Sequence, residues 1–284
     1  MLDKCITDTL QAAAISDLGR KRSNNEDRWL VSYPGTLKEK RTKGYLFIVA
    51  DGMGGCASGE VASSLAVSEV EKYYYSANES DPLDVLEKAL ISAHRQIKVN
   101  GSKNKENSGM GTTLTAVAFI GERLCLAHVG DSRAYLIRNK NIKQLTHDHT
   151  VTAWLAARGK ISPEEARIHP QRHILTQAVG GIDHDPAPDI AEFEWKDDDI
   201  LLLCTDGLYS LISDEEIRQS LLDAVDLQPC IAKLIDLANE RGGPDNITAL
   251  VIRKRTKAPF LGRMLNNLKG LVRTGLSAIL YLIA

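Results

Sequence analysis

The chain has no run of 18 or more apolar residues among its 284, so no ordinary membrane-spanning helix is expected. It has no C-x-x-C pair. Its five cysteines (Cys5, Cys56, Cys125, Cys204 and Cys230) are scattered and odd in number. That argues against a disulfide framework or a cysteine zinc cluster and suits a reducing compartment. His147 and His149 make a His-x-His pair with no further Cys or His ligand set, so they are read as structural. A net charge of −2 leaves no footprint for nucleic acid. The start, MLDKCITDTLQ, carries early acids and no long apolar stretch, unlike a secretory leader. Repeats and low-complexity segments are absent. With 43% hydrophobic and 25% charged residues, the composition is that of a soluble globular protein with a core that needs no staples.

What is present is a sequence of short apolar runs and two pairs of helices. Residues 12–16, 28–31 and 45–50 read as strands, and the polar stretch from Ser32 reads as a loop. Apolar residues at helical spacing mark 59–77 and, after Asp81-Pro82, a second helix to about Val99. A dense β region follows at 112–120, 123–129 and 132–138. Residues 146–181 are polar and rich in His and Arg, and read as an inserted subdomain. Strands at 190–195 and 200–204, helices at 214–222 and 228–241, and a strand at 246–252 complete the pattern. It does not alternate strand and helix as a parallel sheet would, so mostly antiparallel sheets covered by helices are expected. Cys204 and the run Tyr73-Tyr74-Tyr75 read as packing against the core. Cys56 reads as an inert thiol.

The stretch VADGMGGCASGE, from Val49 to Glu60, carries the first chemical signal: a strand, then Asp51, then glycines at 52, 54 and 55. A carboxylate on a strand end beside exposed backbone carbonyls can seat a hard cation, although Asp-Gly is also an ordinary turn. Other acids repeat the setting. Glu26 and Asp27 precede a strand, Asp131 sits in a turn between two, Asp206 follows the run Ile200–Cys204, and Asp245 precedes the last strand. One such Asp is a turn residue; several suggest convergence on one mouth of a sandwich. Clustered carboxylates repel unless cations neutralise them, and an oxygen-only set favours Mg²⁺ or Mn²⁺ over Zn²⁺.

Seven motifs in order carry a resemblance: RSNNED at 22–27, VADGMGG at 49–55, GMGTT at 109–113, VGDSR at 129–133, LTHDH at 145–149, TDGL at 205–208 and GPDN at 243–246. The chain resembles the metal-dependent Ser/Thr protein phosphatases of the PP2C or PPM family, in their bacterial form, over about residues 12–254. The resemblance implies an α+β fold, a two-sheet antiparallel β-sandwich flanked by helices on both sides, with a flap subdomain at about 146–181. It implies two Mn²⁺ or Mg²⁺ ions, with a third, weaker site in bacterial members. By match, Asp51 bridges both ions and Gly52 offers its carbonyl. Asp206 and Asp245 hold the other ion, and Glu26 and Asp27 act through waters. Asp131, sharing Asp206, belongs to the third site, and Arg22 grips the substrate phosphate. The implied reaction is hydrolysis of phosphoserine and phosphothreonine by a metal-bridged hydroxide, in opposition to a Ser/Thr kinase. Many eukaryotic members carry His, a proposed general acid, where this chain has Met53, which cannot donate a proton. His169 and His173 lie in the segment matching the flap and are candidates for contact with the site.

Two rival readings stay beside this one. A catalytically weak phosphoprotein-binding regulator on the same scaffold would need broken ligands, whereas Asp51, Asp206 and Asp245 are all present. A metal phosphodiesterase acting on nucleotides lacks a basic surface in the catalytic region. The resemblance does not explain residues 256–284. Past Ile252 the chain has no acid and seven basic residues, which leaves the remainder near −9. Leu261, Met264, Leu265, Leu268, Val272, Leu276 and Ile279 share one helical stripe. Such a basic amphipathic tail suits an anionic membrane surface or packing on this domain or a partner protein. The expected setting is cytoplasmic, with residues 1–255 as the catalytic domain.

Overall fold

The computed structural model describes residues 2–5, 10–54, 58–79, 81–182 and 184–254. The tail and Cys56 therefore lie outside the described residues. The strands are β1 (Leu2–Cys5), β2 (Leu10–Asp17), β3 (Asp27–Ser32), β4 (Tyr45–Met53), β5 (Gly111–Thr112), β6 (Leu114–Ile120) and β7 (Arg123–Val129). They continue as β8 (Arg133–Arg138), β9 (Asn141–Gln144), β10 (Val179–Gly180), β11 (Asp189–Glu194), β12 (Ile200–Cys204) and β13 (Ile247–Lys254). The helices are α1 (Leu37–Thr42), α2 (Ser58–Ser76), α3 (Pro82–Lys103), α4 (Val151–Ala157), α5 (Pro163–Ile168), α6 (Asp206–Tyr209), α7 (Asp214–Asp223) and α8 (Leu227–Glu240).

Two antiparallel sheets result. One runs β1-β2-β13-β12-β8-β9, and the other runs β10-β5-β4-β6-β7-β11 with β3 on β4. The apolar runs are continuous because most central strands are buried on both faces. Along β4, Phe47 and Val49 enter the core between the sheets, while Leu46, Ile48 and Ala50 meet α2 and α3. Along β12, Leu201 and Leu203 face inward and Ile200, Leu202 and Cys204 meet α7 and α8. Three hydrophobic clusters, one between the sheets and one under each helical pair, make the four-layer α/β/β/α sandwich.

Where the structure departs from the sequence expectation, local chemistry explains it. The loop after Ser32 contains α1, closed by a capping box between Thr36 and Glu39. It buries nothing, so no apolar period announces it. The strand expected at 112–120 is split at Thr113 into β5 and β6. Asn139 and Lys140 both adopt positive φ, 51° and 64°, the backbone of a tight hairpin that adds β9. The helix expected to end near Val99 continues to Lys103. Tyr74 is buried and its neighbours pack against the same core, as expected of that run.

Candidate functional site

The acids expected at strand ends do share one end of the sandwich, and strand register shows why. In the β3–β4 pair Asp27 stands directly opposite Asp51. Asp51 continues the inward phase of Phe47 and Val49, and Asp27 continues that of Trp29 and Val31. Both therefore point into the gap between the sheets where its apolar filling ends. At the same end, Asp131 follows β7, Asp206 follows β12 and opens α6, and Asp245 precedes β13. A hydrogen bond from Thr205 Oγ1 to Asp27 Oδ2, 2.9 Å, spans the two sheets.

Asp27 is 2% exposed and Asp131 7%. Burial pushes the Asp27 carboxyl up to about 7, opposed by hydrogen bonds from Thr248 and Thr205 and reinforced by the charges of Asp206 and Asp245. Asp51 is raised well above the carboxylate range, first by burial and then by Asp27, Asp206, Asp131 and Asp245. Asp131 is raised by burial and by Asp206 and Asp148. Glu26 is raised by burial, with Arg22 opposing. The acids thus feel one another across the mouth, and each favours a neutral partner or a cation nearby.

Existing side chains answer part of that demand. Arg22 donates to Asp245 at 2.7 Å and is half-exposed at the mouth. His173, from the segment between α5 and β10, lies 3.2 Å from Asp206. Asp27 Oδ1 is buried with no hydrogen-bond partner. Among the described residues, no three of the acidic, His and Cys groups are already closed on a common point suited to an ion. The residues still fit hard divalent cations. The donor set is oxygen only, the acids repel one another, and one buried oxygen is orphaned. The backbone also fits. A Cβ at Gly52 would come 2.1 Å from the Gly59 carbonyl oxygen, so only glycine lets the chain cross there.

The expected residues Arg22, Glu26, Asp27, Asp51, Gly52, Asp131, Asp206 and Asp245 are brought together. Their supports carry no charge and went unassigned in the sequence. Thr113 Oγ1 accepts from the Asp51 amide at 2.9 Å, and Thr112 Oγ1 donates to the Asp51 carbonyl at 2.8 Å. Asn246 Oδ1 accepts from the Glu26 amide at 2.8 Å, and its Nδ2 donates to the Leu18 and Asn24 carbonyls. Tyr209 donates to the Asp131 carbonyl at 2.9 Å. The available signal was position: Thr112, Thr113 and Thr205 lie within two residues of a glycine or acid that closes a strand.

His169 makes local turn contacts, accepting from the Gln171 amide at its ring and from Arg172 at its carbonyl, unlike His173. His147 lies 3.2 Å and His149 3.5 Å from the two oxygens of Asp189. Asp148 takes a two-pronged bond from Arg133. This cluster ties the loop between β9 and α4 to Arg133 and Asp189.

Comparison with known proteins bears on the family of the chain. The sequence profile described as Protein phosphatase 2C matches residues 12–154. The chain is 39% identical over 246 residues to the serine/threonine protein phosphatase PstP of Mycobacterium tuberculosis, covering 87% of this chain and 45% of that protein. It therefore spans less than half the length of that relative. It is 35% identical over 243 residues to the serine/threonine phosphatase stp of Listeria innocua, covering 84% of this chain and 94% of that protein. Its fold is similar to a crystal structure of the PstP catalytic domain in complex with two manganese ions. The TM-score is 0.74 at 37% identity, over 87% of this chain and 99% of that one. With half of its length matched by the family profile and a relative covered almost from end to end, the chain belongs to the protein phosphatase 2C family.

Proposed function

We propose that the chain is a Mn²⁺- or Mg²⁺-dependent phosphatase that removes phosphate from phosphoserine and phosphothreonine in proteins. The observation that carries this reading is the convergence of acids from five strand ends on one mouth, with a buried Asp27 oxygen left unpaired. The relatives named as serine/threonine phosphatases, and the manganese in one similar structure, support it.

In this reading Asp51, the Gly52 carbonyl, Asp206 and Asp245 would hold a divalent pair, with Glu26 and Asp27 acting through waters. Asp131 and Asp206 would hold a third ion. When bound, the divalent pair supplies the positive charge that activates a water for in-line attack on phosphorus. The chain's own residues do the rest. Arg22 moves from Asp245 to the phosphate oxygens, which it can take through two N–H groups, and offsets charge in the transition state. Thr112 and Thr113 fix the Asp51 backbone and Thr205 fixes the Asp27 carboxylate, so that little reorganisation accompanies the reaction. Met53 supplies no acid for the leaving alkoxide.

We assign residues 1–255 to the catalytic unit, with residues 146–181 as its flap, and residues 256–284 to a separate basic tail. The setting is cytoplasmic, the natural substrates are phosphoproteins of a Ser/Thr kinase, and the tail contacts an anionic membrane surface or a protein. Among the described residues no helix is long and apolar enough to cross a membrane. Hydrolysis of a phosphothreonine peptide, of p-nitrophenyl phosphate and of a nucleotide diester, with and without Mn²⁺, tests the reading. Metal-dependent cleavage of the first two, abolished by Asp206→Asn, is expected. Cleavage of the diester alone would make the protein a phosphodiesterase, and tight binding without turnover would make it a regulator.

A further inference from the structure

The flap leaves the sandwich after β9 and returns through β10, a strand of two residues held to β5 by two register pairs, Val179 with Thr112 and Gly180 with Gly111. So short a ladder is weak by itself. It nevertheless stands one strand away from the site, because Thr112 pairs with Gly52 and its hydroxyl donates to the Asp51 carbonyl. Three side chains of α3 reach the returning segment. The Gly180 amide donates to His94 Nδ1 at 3.0 Å. Lys98 Nζ donates to the Ile182 carbonyl at 2.9 Å, and Arg95 to Asp185 Oδ2 at 2.9 Å. The second ring nitrogen of His94, Nε2, lies 3.9 Å from Asp185 Oδ1. His94 is 1% exposed, whereas Asp185 is half-exposed, so the ring is buried while its carboxylate neighbour faces solvent.

The fit leaves little room for another arrangement. Gly180 has φ of 76°, and a Cβ there would come 2.3 Å from Ile97 Cγ2 on the same helix. The Gly180 amide therefore meets the ring through a backbone that only glycine reaches without strain. An acceptor at Nδ1 requires the neutral ring with its proton on Nε2, toward Asp185.

We propose that His94 is a positioning residue for the reaction: its neutral ring clasps the Gly180 amide, seats β10 on β5 and so fixes the Asp51–Gly52 corner, and protonation at Nδ1 opens the clasp. The role in catalysis rests on the phosphatase reading; the clasp itself does not. Burial lowers the His94 pKa, Lys98 and His184 lower it further, and Asp185 and the Ala178 carbonyl oppose them. The direction sets the sign. An unfolded histidine titrates near 6.5, and the folded ring titrates below it. The clasp is therefore fully present at neutral pH and is lost as pH falls through the folded value.

The test is amide hydrogen exchange at Gly180 in the full chain, read as a protection factor from about pH 7.5 downward over the range in which the protein stays folded, beside Mn²⁺-dependent turnover of p-nitrophenyl phosphate. His94→Asn places Oδ1 where Nδ1 stood and cannot titrate in this range. His94→Leu removes the acceptor. In the wild type, protection should fall as pH is lowered, with a midpoint below that of an unfolded histidine, whereas the Asn variant should hold it throughout. The Leu variant should lose about tenfold at neutral pH, with kcat reduced to match and turnover rescued by Asn. Equal Gly180 protection in the wild type and the Leu variant, or an Asn variant as unprotected as Leu, would overturn the clasp. Lost protection with unchanged kcat and KM would overturn the positioning role. Should the Leu variant fail to fold, the wild type and Asn variant across that pH range still decide. Should no form hydrolyse phosphate, the phosphatase reading fails while exchange still judges the clasp.

Discussion

At the scale of single residues, the site is a set of acids held in conflict. Asp27 shows the consequence best. Its carboxyl titrates near 3.8 when unfolded and near 7 in the fold, so between those values the folded protein holds a proton that the unfolded chain has released. That contribution is complete below the lower value and disappears as pH rises through the upper one. The metal-free wild type should therefore lose melting temperature between pH 5 and pH 8 relative to Asp27→Asn, by about 5 °C. The same variant should bind Mn²⁺ about tenfold more weakly, as calorimetric titration would show. A wild type and variant with parallel melting profiles would mean that Asp27 is not in conflict. Arg22 sets a different test. Lys keeps the charge but not the planar pair of donors, so Arg22→Lys should lower kcat/KM on a phosphopeptide by about 100-fold. An unchanged value would remove Arg22 from phosphate binding.

At the scale of elements, the acids were legible because each one flanks an apolar run beside glycine or another turn residue, and an apolar run of strand length is hard to mistake when both of its faces are buried. The 45–50 and 200–204 runs show this: each alternates between the inter-sheet core and a helical layer, so every residue is apolar. What escaped notice lacks that pressure. Helix α1 buries nothing, and β10 and β5 are two residues each, too short for any period. The roles of Asn246 and the threonines were also hidden, because a hydrogen bond to a group 61 to 228 residues away leaves no local pattern. Asn246 fastens the loop carrying Glu26 to the start of β13 through three bonds and is 4% exposed. Asn246→Ala leaves the Glu26 amide and the Leu18 and Asn24 carbonyls without this partner. It should cost about 3 kcal/mol in urea unfolding, and a loss under 1 kcal/mol would show the clamp to be dispensable.

At the scale of the molecule, two sheets lie between helical pairs and one end of the sandwich gathers the acids, while the returning strand β10 and its proposed α3 clasp stand one strand from Asp51 and Gly52. The strongly basic tail stands apart in composition from a domain near −9. Ending the chain near Arg255 should leave Mn²⁺-dependent turnover of p-nitrophenyl phosphate within about twofold, as expected of a segment outside the catalytic unit, and should abolish co-sedimentation with anionic vesicles. Equal sedimentation of both forms would remove the membrane from the account. The central claim is that acids from distant strand ends act together on a phosphate ester through divalent ions. The most direct measurement is release of inorganic phosphate from a phosphothreonine peptide by the full chain, with and without Mn²⁺, beside Asp51→Asn. The account predicts turnover that requires the metal and falls at least about 100-fold in the variant; metal-independent turnover, or a variant as active as the wild type, would contradict it.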